Sequence, residues 1–477
     1  MIRTGRALFS AECTSIAGCF ALPDDRRSFL PVFNQAIEAI MYPVTKIIPG
    51  RSTGVVLLFA TSVLAACSDY QRNPTGPDPD PEPTPTTVDV AFCDGAQPRW
   101  VAFQDGDGEW TPAEAVVAGQ LATFRHTFNS KRAAIATASE FANGLTTLSI
   151  QYGAPAELAI AGEATPDLCG VVADNTVDGT VAGIDTDEAA VVSSGHSTRE
   201  ATTVAEGSAF TLRHVAGPQE IIATRLTRAD DEVFLTGIIL RRGPELPDGA
   251  TIPVLDFDSP EAAHPISRGL TLVGFGTEGA ASLNGLRTAH SDNVVIFVNA
   301  SVTAVNRPYL AVPEDRLAPG DVQFLTATTN MSNTSNVARS TTSYFRTPTA
   351  RTLTFPEPPR PPIMQILAAA PTLRPRAYFD PQDAYDRLTG ISFQQGQNTV
   401  VTVSMTPAYA ALRGAYDLAV PDFTGVTGFD ARWALRAGET LLWHSTRIGG
   451  TLGLAPNVVP VDGDTRTIGT DAGFLTP

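Results

Sequence analysis

Five cysteines, six histidines and scattered carboxylates are the side chains with which this 477-residue chain can perform covalent, acid–base or metal chemistry. The histidines are His126, His196, His214, His264, His290 and His444. No two lie four residues apart and no His-Glu-x-x-His run occurs, so the pattern of a helical zinc protease site is missing. Gly195-His-Ser-Thr-Arg199 begins like a nucleophile elbow but lacks the second glycine, and it falls in a strand-rich stretch rather than on a strand-to-helix turn. Carboxylates cluster at Asp256/Asp258, Asp380/Asp383/Asp386 and Asp462/Asp464. Glycosidase chemistry needs two carboxylates on opposite sides of one bond, which proximity in sequence does not supply. Asp105, Asp107 and Glu109 alternate as calcium ligands do, but the sixth position of that loop is Trp110, where a calcium loop requires glycine. A hairpin turn is the expected structure there. No cofactor is expected.

The most informative thiol is Cys67. It ends the apolar run Gly54–Ala66, about a dozen residues long, which is preceded by Lys46 and Arg51. A basic flank, a short apolar run and small residues at its end form a secretory signal, and the run is too short to span a bilayer. The four residues Leu64-Ala65-Ala66-Cys67 resemble the lipobox of bacterial lipoproteins at every position. In that family the cysteine sulfur takes a diacylglyceryl group, a peptidase cuts before the cysteine, and the new amine is acylated. The resemblance implies a mature chain starting at Cys67. Ser68 in place of Asp implies sorting to the outer membrane. Met41 would give a signal of ordinary length, so residues 1–40 are expected to precede the true start. Burial of acyl chains contributes about 0.8 kcal/mol per methylene, and more than one chain makes a durable anchor.

Behind Cys67, the residues up to 87 are rich in proline and acid, with Pro74, Pro77, Pro79, Pro81, Pro83 and Pro85 in near alternation. Such a run favours extended polyproline II geometry and reaches roughly 50 Å at about 3.1 Å per residue. With Cys13 and Cys19 upstream and Cys67 lipidated, Cys93 and Cys169 remain, and an exported chain with one leftover pair invites a disulfide. That bond would close a loop of about 76 residues, worth on the order of 4 kcal/mol in the chain-entropy model.

The elements behind the tether read as strands. Charged residues are only 17% of the chain, and 39 glycines and 37 prolines suit short strands joined by turns. Alternating runs divide into an all-β, multi-domain array of sandwich-like modules at about 88–171, 172–247, 250–356 and 357–477. Asp105-Gly-Asp-Gly108 is a hairpin signal, expected to set Phe103 against Trp110 beside Val101, with Trp100 facing the other way. In the second module Val177-Asp-Gly-Thr-Val181, Phe210-Thr-Leu212, Gly217-Pro218 and the apolar strands after it resemble the carboxypeptidase regulatory-like, prealbumin-type sandwich. That likeness implies an accessory module rather than a catalyst. Phe355–Pro362 reads as a proline-rich link between the last two modules, which can pack as one unit.

The net charge of −17, with Lys46 and Lys131 as the only lysines, opposes the counterion release on which nucleic-acid binding depends. Nucleic acid is therefore not an expected partner. The expectation is a non-enzymatic, lipid-anchored binding or scaffold protein of the envelope, its partners being the membrane and an envelope protein or polysaccharide. The alternatives are an exported hydrolase of glycan or peptide and a transporter-associated solute-binding lipoprotein. The latter needs alternating helices and strands around a cleft.

Overall fold

The structure, a computed structural model, describes residues 84–477 apart from 94–96, 119–120, 142, 162–174, 195–201, 215–217, 230–231, 277–278, 290–293, 298–307, 330–335 and 454–457. The described residues form thirty strands and two short α-helices, Pro155–Ala161 and Pro407–Arg413. The chain is all-β.

One sheet of twelve strands organises the molecule. Its spatial order begins Val294–Phe297, Ala280–Arg287, Val322–Thr329, Ala338–Phe345, Thr465–Leu475 and Leu441–Gly449. It continues through Leu388–Gln395, Thr399–Met405, Thr146–Gly153, Ala133–Glu140 and Trp100–Asp105 to the short edge Thr111–Pro112. Neighbours are antiparallel except at the centre, where Thr399–Met405 runs parallel to Thr146–Gly153 with Val401 opposite Leu148 and Val403 opposite Ile150. The sheet thus runs through the expected boundaries between stretches 88–171, 250–356 and 357–477: the first and last of these share a ladder.

Smaller sheets cover this platform. Thr86–Cys93, Leu121–Phe128 and Val116–Ala118 form a three-stranded sheet. It buries Val88, Val90, Phe124 and Phe128 against Val101, Phe103 and Ile135. The opposite face of the same strands carries Trp100, Ala134, Ala136, Leu148 and Ile150 into a second core, shared with Ile391, Phe393, Val401, Val403, Leu418 and Trp433. Two-sided burial explains why Trp100–Phe103 and Ala133–Ala136 are unbroken apolar runs rather than alternating ones. Further along the sheet, Leu325, Ala327 and Phe345 pack beneath Leu270, Leu272, Tyr309, Leu353 and Phe355.

Residues 175–257 make a separate sandwich. Asn175–Ala182 pairs with Ala209–His214, and Glu188–Ser194 lies between Thr202–Val204 and Pro218–Ala229, which pairs with Glu232–Glu245. Ala250–Thr251 and Leu255–Asp256 add to Asn175–Ala182 in parallel, so the core extends to Ile252, Leu255 and Phe257. The outer face of this sandwich joins the large sheet's flank through Ile222, Leu235, Ile238, Leu286, Val312 and Leu317.

One local expectation is corrected. The turn forms with Gly106 at φ 60° and the Gly108 amide donating to the Asp105 carbonyl at 2.9 Å. Yet Phe103 stands opposite Thr111, not Trp110. Phe103 and Val101 share one core as expected, while Trp110 packs on Phe423 and joins Trp100 on the other face. A register displaced by one residue moves a side chain to the opposite face, and the aromatic cluster around Trp100 decides which register is kept. The proline-rich link Phe355–Pro362 lies along the sheet. It is a strap held on the sheet: Arg339 donates to the Pro356 carbonyl at 2.5 Å, Tyr385 to the Glu357 carbonyl at 2.7 Å and Arg447 to the Arg360 carbonyl at 2.6 Å. Prolines lack the amide that would enter a ladder, so the carbonyls of this segment are free to accept from side chains.

Candidate functional site

The lipobox residues Leu64, Ala65, Ala66 and Cys67 and most of the tether lie outside the described residues. The described chain begins just behind them, and Thr86–Cys93 is the first strand. Cys93, at its end opposite Leu121, is disulfide-bonded. Its expected partner Cys169 lies outside the described residues, as does Gly195–Arg199.

The acidic turn uses its carboxylates on the protein itself. Asp105 accepts from the backbone amides of Asn129 and Ser130, both at 2.9 Å, and so ties two loops together. Asp107 receives the guanidinium groups of Arg132 and Arg413, the latter at 2.7 Å. The hydrogen bond from Arg132 is the main cause that holds the Asp107 carboxyl below the usual carboxylate range. No group of three or more His, Cys, Asp or Glu side chains arranged for a metal occurs among the described residues, and Asp105, Asp107 and Glu109 form none.

Two of the other carboxylate groups are engaged in local structure, whereas Asp380, Asp383 and Asp386 are not brought together on a shared partner, Asp386 lying 4.0 Å from Arg387. Asp256 accepts from the Asp258 amide at 3.0 Å, Asp462 from the Arg346 amide at 3.0 Å, and Asp464 from the Val461 amide at 2.8 Å. His126 points into the first sandwich, stacked on Phe103 with ring centres 5.0 Å apart. Burial pushes its pKa below the usual value and Asp105 opposes that in part.

Two arginines, Arg447 buried and Arg242 half-buried, hold junctions together. Arg447 lies over the Phe379 ring at 4.8 Å, donates to Gln382 at 2.6 Å and to the Asp380 carbonyl at 3.2 Å, and its pKa is lowered by burial. Arg242 donates to Asp321 at 2.5 Å and to Glu220 at 3.3 Å, joining the 175–257 sandwich to the loop before Val322–Thr329. A shallow open depression of about 410 Å³ borders Arg242, Gly243, Ala289, Ala318, Pro319 and Asp321. Both Asp321 oxygens are taken by Arg242 and by the amides of Ala289 and Ala318, so the depression presents no uncommitted acid or base from that residue.

Among the described residues, an accessible surface is offered by the face of the large sheet opposite the Trp100 core. Ser149, Thr402, Ser392 and His444 stand in one row across four strands. Gln151, Ser404, Gly390 and Thr446 form the next row. Val400, Gln394, Leu442 and Phe474 form a third on the other side. The strands Thr399–Met405 and Leu441–Gly449 alternate buried and accessible positions, and their residues in these rows are the accessible ones, while Gly390 on the strand between them is buried. None of the side chains in the three rows belongs to a buried apolar cluster. His444 is exposed and Phe474 is 75% exposed. The alternation was visible in Thr399–Met405 and Leu441–Gly449, but the joining of distant strands into one face was not.

No family model matches the chain, and no curated protein matches it.

Proposed function

We propose that the protein is a lipid-anchored, non-enzymatic binding or scaffold protein of a bacterial envelope, held in the outer membrane through Cys67. The observation that carries this reading is the run of basic flank, apolar segment and Leu64-Ala65-Ala66-Cys67, followed directly by the acidic, proline-rich tether. The Cys93 disulfide supports it, because such bonds persist in oxidising, exported compartments. Cys169 is the proposed partner. The prealbumin-type likeness of residues 172–247 gives that stretch an accessory role in this reading, and its partner is an envelope protein or polysaccharide. The test is metabolic labelling with a clickable fatty acid. The wild-type protein takes up label and Cys67→Ser takes up none; equal labelling of the two, or none in either, overturns the anchor.

A further inference from the structure

We infer that the open face of the twelve-stranded sheet binds a neutral polysaccharide, which gives the binding role proposed above a ligand class. The three rows centred on Ser149–His444 contain serine, threonine, glutamine, glycine and apolar residues, with His444 the one titratable side chain. In a chain of net charge −17, these three rows across five strands carry no carboxylate, and Glu157, at their border, is taken up by Thr406. It offers no ion pair to a polyanion or polycation, and like-charge repulsion does not keep a neutral chain away from it. At about 4.8 Å between strands the five strands span roughly 19 Å, so the face fits an extended polymer better than a small solute.

The chemistry of the face matches sugar hydroxyls. Ser149, Gln151, Ser404 and Thr446 make no side-chain hydrogen bond with the described residues, so their donors and acceptors are open to a ligand. Ser392 and Thr402 are 3.0 Å apart and hold each other in place, which fixes the middle of the row. Phe474, 75% exposed and opposite Leu442, offers the flat apolar surface on which the C–H face of a sugar ring packs. His444, exposed one row further in, adds a ring nitrogen beside it. These groups lie on the strands of a continuous ladder and not on loops, so the site is already assembled.

The test is affinity electrophoresis of the purified full chain in gels containing xylan, mannan, a mixed-linkage β-glucan or dextran, with alginate as the anionic counterpart. At least one neutral polymer retards the protein. Phe474→Ala and His444→Ala each weaken that retardation about tenfold without moving the melting temperature, whereas Ile363→Ala, exposed on another sheet, does not change it. Retardation by none of the neutral polymers, by alginate alone, or by Phe474→Ala as strongly as by wild type overturns the inference. Dimerisation of the wild type that Phe474→Ala abolishes, with no retardation, assigns the face to a second copy instead. Cys67→Ser leaves the retardation unchanged and Phe474→Ala leaves fatty-acid labelling unchanged, so failure of one reading is separable from failure of the other.

Discussion

Taking a guanidinium out of water is costly, and Arg447 is 2% exposed. It is tolerated because three acceptors surround it: the carbonyls of Arg360 and Asp380 and the side chain of Gln382. Nothing in the local sequence Trp443–Ile448 signals such a position, since its partners lie more than sixty residues away in the chain. His126 is the titratable counterpart. It sits between Phe103 and Phe128, and burial holds its pKa below 6.5. The unfolded chain therefore binds the proton more readily than the folded one. The stability linked to His126 is complete above pH 6.5 and is lost as pH falls through the lowered folded value. His126→Phe is expected to remove that dependence. Urea titrations of both proteins between pH 8 and 5 should show their difference in stability change toward acid; a constant difference would contradict the assignment.

At the scale of elements, the individual strands were legible in the sequence because alternation and turn residues are local properties. The runs around Val88, Trp100, Leu121, Ala133 and Leu148 all fall on strands of the structure. Pairing across the chain was not legible. The parallel contact of Thr399–Met405 with Thr146–Gly153 spans about 250 residues, and no turn signal specifies it. The position of Trp110 fails for a related reason: its face is chosen by Phe423, far away in sequence. The proline strap shows the same limit, since its composition marks a link and the side chains that hold it, Arg339, Tyr385, Arg447 and Gln382, are distant in sequence. The shared ladder has a testable consequence. Ile150 is fully buried opposite Val403, so Ile150→Ala should cost about 2–5 kcal/mol. Hydrogen exchange should then report lost protection in Thr399–Met405 as well as in Thr146–Gly153. Loss confined to the earlier strand would mean that the two halves fold independently.

On the scale of the whole molecule, the proposed reading has a lipid and a spacer tie an acidic chain to a broad β platform, on which three accessible rows among the described residues carry no carboxylate. The proposed anchor rests on sequence alone, because lipidation is directed by a short linear motif rather than by a folded surface. The open face needed the structure, because its rows draw one or two residues from each of several distant strands. The anchor is also what separates this account from that of a soluble secreted protein. Mass spectrometry of the N-terminal peptide of the mature protein, isolated from its own membranes, tests it most directly. The expected peptide starts at Cys67 and carries a diacylglyceryl group on sulfur and an acyl group on nitrogen. A peptide that reads through Ala66 into an unmodified Cys67 would contradict it.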